Sequence, residues 1–121
     1  NLLNMRITYM KSTDHDVHVA YVSHISHITS FSLALSVLDK EKDEENILKL
    51  AAGGFESTVR LAKSNAETWA PIFLQNSEYI IEVLDSYLEK MNLFKKYILE
   101  KNSAGLVELM NEANKIRKIL N

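Results

Sequence analysis

The sequence predicts an all-α helical bundle, on three observations. Only three glycines and one proline occur in 121 residues, so the chain has few places to turn. Apolar residues recur at three- and four-residue spacing over long stretches, and the period-two alternation of strands is nearly absent. A hydrophobic content of 46% with 25% charged residues is that of an ordinary globular domain, enough for one modest core.

Residues 1–12, NLLNMRITYMKS, are short and mixed. They read as a linker or the end of a preceding helix, with the domain proper at 13–121. The absence of an initiating methionine supports a fragment of a longer chain. The first helix is predicted over 13–38 and carries all four histidines. Thr13 is its expected N-cap, with Asp16 closing a capping box. Valines, leucines, isoleucines and Phe31 cover most sides of the wheel, which predicts a central helix packed on several faces. His15 and His18 lie one turn apart, as do His24 and His27, with Ser23, Ser26 and Ser30 beside them. Polar groups on a buried helix must find partners, within the protein or in a ligand.

Residues 39–46, DKEKDEEN, read as a solvated helix end and connection. Residues 47–52 add a turn or two of helix, ended by Gly53-Gly54, which permit positive φ or close approach of another segment. Residues 55–62 form a short helix in which Arg60 follows Glu56 by four. That spacing favours an intrahelical ion pair of about 0.2–0.5 kcal/mol. The functional reading is an arginine beside a glycine turn, gripping an anion with its planar fork. Ser64 opens the next helix with a capping box closed by Glu67, and Pro71 predicts a kink or break near 67–70. Trp69, as a lone tryptophan, reads as core.

From Ser77 the pattern is the cleanest in the chain: Ile80, Val83, Tyr87, Met91, Phe94 and Ile98 mark one face of a long amphipathic helix. Asn102-Ser103 restarts the chain into a terminal helix with Leu106, Met110 and Ala113 on its apolar face. The late cations Lys115, Arg117 and Lys118 complement its dipole. The two helices are expected to form an antiparallel hairpin.

Several function classes are excluded. A net charge of −2, without an arginine-rich stripe, offers nothing to nucleic acid. Zero cysteines rule out disulfides, thiol nucleophiles and cysteine-ligated metal. No apolar run approaches the roughly 18 residues of a membrane span, so no membrane partner and a cytoplasmic location are expected. HxxH occurs twice, yet a zinc site needs three or four ligands and Asp14 or Asp16 completes only a poor one; no metal is expected. A serine–histidine hydrolase would need a nucleophile elbow, which is missing. GGF after a helix is not the strand-preceded GxGxxG of a dinucleotide site. No cofactor-binding residue is expected here, and any redox cofactor would be held by another domain. Two readings of the histidines remain: purely structural groups in a non-catalytic helical dimerisation module, or, with Arg60, a site for a carboxylate.

His15-Asp16, VSHISH at 22–27, GGF at 53–55, RLAKS at 60–64, Trp69 and Asn76 resemble, in order and spacing, the C-terminal helical domain of prephenate dehydrogenase. The combination spans nearly the whole chain from Ser12 and is specific as a set. The resemblance implies a fold similar to the C-terminal domains of 6-phosphogluconate dehydrogenase-like proteins. It implies an enzyme that oxidatively decarboxylates prephenate to 4-hydroxyphenylpyruvate, with hydride passing to NAD or NADP, in tyrosine biosynthesis. The nucleotide and the catalytic histidine would belong to an N-terminal Rossmann domain absent from this sequence, so the fragment alone is expected to be inactive. By the same resemblance Arg60 clamps a prephenate carboxylate, and His27 lies near the substrate or a feedback-bound tyrosine. His15, Gly53 and Trp69 line the cleft, and the domain forms a homodimer. The sequence departs from the family pattern at Ser26, where relatives often carry proline, and at Ala52, Ser57, Val59 and Pro71.

Overall fold

The computed structural model of the protein describes residues 12–120, excluding the side chains of residues 12–15, 21 and 52. The expected linker at 1–12 lies, but for Ser12, outside the described residues. Every regular element among them is helical. Two compact units divide the chain, Asn1–Val83 and Leu84–Asn121.

The first unit begins with α1 (Ser12–Val19), a widened π-helical turn (Ala20–His24) and α2 (Ile25–Lys40), which run on without a break in helical dihedrals. Helix already at Ser12 places Thr13 inside the first turn, so Thr13 is not the N-cap. The π turn is signalled by no glycine or proline. Within it the Ile25 N–H bonds the Ala20 carbonyl, five residues back. Such a turn shifts the downstream face by about one residue and is frequent at functional sites. The hydroxyls of Ser26, Thr29 and Ser36 fold back onto carbonyls of the same helix, at 2.9–3.0 Å. These polar groups on an apolar helix are thereby satisfied locally.

Three residues then lead into α3 (Glu44–Leu50), whose N-cap Asp43 accepts the Glu45 N–H at 2.9 Å. A second π turn, Ala51–Phe55, ends in a kink because Gly54 adopts φ 98°. Such a left-handed conformation is strained for any residue with a Cβ. One turn of helix, α4 (Glu56–Thr58), and a 3-10 turn (Arg60–Lys63) follow, the latter packed against α2. Helix α5 (Ala66–Gln75) is capped by Asn65, which accepts the Thr68 N–H at 2.9 Å. The cap is therefore one residue later than the predicted Ser64 box. Pro71 does not break α5. Its missing N–H removes a single bond near the start of the helix, and Glu67, Ala70 and Pro71 are exposed, so water can solvate the freed carbonyl.

Helix α6 (Ser77–Leu99) contains the boundary between the units. In the second unit Asn102 caps α7 (Ser103–Ala113) by accepting the Gly105 N–H at 2.9 Å, after a reversal in which Lys101 takes φ 57°. A 3-10 turn, Asn114–Lys118, ends the described chain and carries the late cations. The expected hairpin does not close: Leu88, Met91, Ile98, Val107 and Met110 are all exposed.

The buried apolar core among the described residues is small, consisting of Ala20, Ile25, Ile80 and Val83. The first helix is accordingly not packed on all sides. Val22 is 73% and Leu35 67% exposed, because no described element covers those faces. No described helix is long and apolar enough to cross a membrane.

Candidate functional site

The polar residues that the first helix buries are His24, His27 and Ser30, each at 9% exposure or less. The π turn and the start of α2 place them; the two histidines meet Trp69 of α5, and Ser30 meets the Thr58 carbonyl of α4. His27 stacks on Trp69 of α5, with ring centroids 3.5 Å apart and planes at 21°. Its Nδ1 lies 3.0 Å from the Ser23 carbonyl. A carbonyl can only accept, so Nδ1 carries a proton, and Nε2 is the atom left to serve a ligand.

His24 meets the same indole edge-on, at 6.1 Å and 84°. Phe73, one turn along α5, completes the cluster at 5.7 Å from Trp69. Asn76, between α5 and α6, donates from Nδ2 to the Asp16 carbonyl at 2.9 Å and meets His24 Nδ1 at 3.2 Å. Burial lowers the His24 pKa below 6.5, and the neighbouring His27 adds to the effect while Asp16 opposes it. His24 is thus held as the neutral ring. Asp16, Val19, His24, Ile72, Gln75 and Asn76 line an open cleft of about 310 Å³ on this side of the cluster.

Ser30, one turn beyond His27, donates to the Thr58 carbonyl at 3.2 Å. This bond ties α2 to the segment that carries Arg60. Arg60 itself is exposed, and among the described residues it takes part in no ion pair or side-chain hydrogen bond. The Glu56–Arg60 pair that spacing favours is not formed. Glu56 instead meets Lys63 at 3.1 Å, since the change from α to 3-10 geometry after Thr58 alters which side chains share a face.

Of the residues expected from the sequence, then, His27 and Trp69 come together directly. Arg60 is placed on an adjoining segment, without a bond to the rings. Gly53 is exposed, and a Cβ added there would meet nothing within 4 Å, so no described segment approaches it closely. The His15 side chain lies outside the described residues. His18 is exposed, so the structural reading of the histidines does not hold for it. Among the described residues, no three His, Asp or Glu side chains gather as a metal site would require. Asn76, a residue of the family motif, and Ser30, beside the histidines on the helix, carry no site role in the sequence reading, because both act through contacts distant in sequence.

Residues 11–112 match the family model described as prephenate dehydrogenase, dimerization domain. The chain is 25% identical over 118 residues to a prephenate dehydrogenase of Lactococcus lactis subsp. cremoris, covering 98% of this chain and 33% of that protein. It is 29% identical over 116 residues to a cyclohexadienyl dehydrogenase of Zymomonas mobilis, covering 95% of this chain and 40% of that protein. Its fold is similar to the crystal structure of Synechocystis arogenate dehydrogenase, with a TM-score of 0.78 and 25% identity, over 99% of this chain and 47% of that one. The chain therefore spans between about a third and a half of the length of these proteins. A match over most of its length, on a wholly helical described fold, makes this chain a member of the prephenate dehydrogenase dimerization-domain family.

Proposed function

We propose that this chain is the substrate-side and dimerisation part of a cytoplasmic, NAD(P)-dependent prephenate dehydrogenase of tyrosine biosynthesis. The full-length protein converts prephenate and NAD(P)+ into 4-hydroxyphenylpyruvate, CO2 and NAD(P)H. The observation that carries this reading is the family match over residues 11–112, which includes the His27–Trp69 stack and Arg60.

The division of labour follows from the residues present. The described residues contain no strand–glycine turn–helix, and Gly53-Gly54 follow a helix. They do not fit a dinucleotide, which we assign to another part of the full-length protein. The role left to this chain is to bind and orient a dianionic substrate. Arg60 is an exposed cation on a segment anchored to α2, and its planar fork suits a carboxylate. His27 Nε2 offers a hydrogen bond, with the apolar face of Trp69 against its ring. A bound tyrosine would compete for the same groups. We assign the exposed apolar faces of α2, α6 and α7 to a homodimer interface, because so small a core leaves them uncovered.

The direct test is substrate-dependent NAD(P)H formation by the full-length protein, comparing prephenate with arogenate. Faster turnover with prephenate supports this reading. Turnover of arogenate alone would replace the substrate, and no turnover of either would reject the enzyme.

A further inference from the structure

We infer that Asn76 is a positioning residue for the substrate-facing rings: its amide fixes the tautomer and orientation of His24, and through Trp69 the stacked placement of His27. This deepens the reading of the chain as a prephenate-binding domain and rests on it for the kinetic consequence alone.

The geometry leaves Asn76 one orientation. An amide oxygen turned toward the Asp16 carbonyl would set two acceptors 2.9 Å apart, so the NH2 group must point there. The same nitrogen is 3.2 Å from His24 Nδ1, and its second hydrogen is available to that atom. His24 Nδ1 is then an acceptor and its proton sits on Nε2. His27 is the opposite tautomer, since its Nδ1 faces the Ser23 carbonyl at 3.0 Å. Trp69 lies against both rings, edge-on to His24 and stacked on His27.

One side chain thus joins the end of α5 to α1 and to the π turn, and the rings follow from it. Without the amide, His24 Nδ1 loses its donor in a buried place, and the ring is released to turn or to exchange tautomers. Trp69 then loses the edge that keeps it under His27. Asp16 contributes through its backbone carbonyl, so side-chain changes at Asp16 do not imitate loss of Asn76.

The experiment compares wild type, Asn76→Ala and Asn76→Asp in the full-length protein, using kinetics and long-range 1H–15N spectra of the histidine rings. In wild type the His24 resonances should report the Nε2-protonated tautomer. Asn76→Ala should mix the His24 tautomers, shift the His27 ring signals and raise the prephenate KM roughly tenfold, the scale of one lost hydrogen bond in a buried pair. The KM for the nicotinamide should stay within about twofold, which a general loss of folding would not spare. Asn76→Asp, of the same shape but with an acceptor facing His24, should favour a proton on His24 Nδ1. An Nδ1-protonated His24 in wild type overturns the inference, as does an unchanged prephenate KM in Asn76→Ala. If wild type turns over no prephenate, the enzyme reading fails by itself. The positioning claim then stands if Asn76→Ala moves both the His24 and His27 ring signals, and falls if His27 does not move.

Discussion

His24 is held toward the neutral ring because burial disfavours its charged form and the neighbouring His27 adds to this, against the opposing Asp16. Its folded pKa is therefore below 6.5 while the unfolded chain binds a proton at about that value. The unfolded state holds more protons in the window between the two, so the His24 contribution to stability is full above pH 6.5 and is lost as pH falls through that window. Thermal unfolding should show a melting temperature that declines below pH 6.5, with a shallower decline in His24→Gln. The opposite holds for Arg60. Its exposed side chain makes no described bond, so Arg60→Ala should change stability by less than about 0.5 kcal/mol. Trp69→Ala removes the partner of both histidines and should cost about 2 kcal/mol in denaturant unfolding. Paired histidines, the lone tryptophan and the arginine beside the glycines are visible in the sequence. That His27 meets Trp69 is not, because stacking depends on how α5 crosses the start of α2.

The helices follow from local rules where those rules act alone. The clean repeat after Ser77 gives α6, and Asn102 starts α7, as periodicity and capping require. Boundaries shift where two candidates compete: Asn65 rather than Ser64 caps α5, because its side chain reaches the Thr68 N–H. The π turn at Ala20–His24 has no sequence signature, since its residues keep ordinary helical dihedrals at both flanks. Gly54 is the reverse case, a conformation that glycine announces. Gly54→Ala leaves φ 98° strained although the space around it is open, and should destabilise the first unit by about 1–2 kcal/mol in chemical denaturation. At α7, a Cβ on Gly105 would come 2.6 Å from Asn102 Nδ2 and 3.2 Å from Tyr97. Gly105→Ala should therefore displace the cap and cost about 1 kcal/mol.

At the scale of the molecule, a sequence that is 46% hydrophobic buries only a few side chains among its described residues. The fold class and the amphipathic faces are legible in the sequence. The cover for those faces is not, because the pattern of one chain records an apolar surface without naming what meets it. We expect the cover to be a second copy, and sedimentation of the full-length protein should give a dimer that persists on dilution to micromolar concentration. Substituting lysine for Leu88 and Met91, both exposed on α6, should shift it to monomer. Dimer contact and substrate binding together are the role we propose for this domain within the full-length dehydrogenase. The most direct test is the kinetics of Arg60→Ala in the full-length protein. The prephenate KM should rise tenfold or more, about 1.4 kcal/mol per tenfold, with the nicotinamide KM nearly unchanged. A prephenate KM equal to that of wild type would contradict the account.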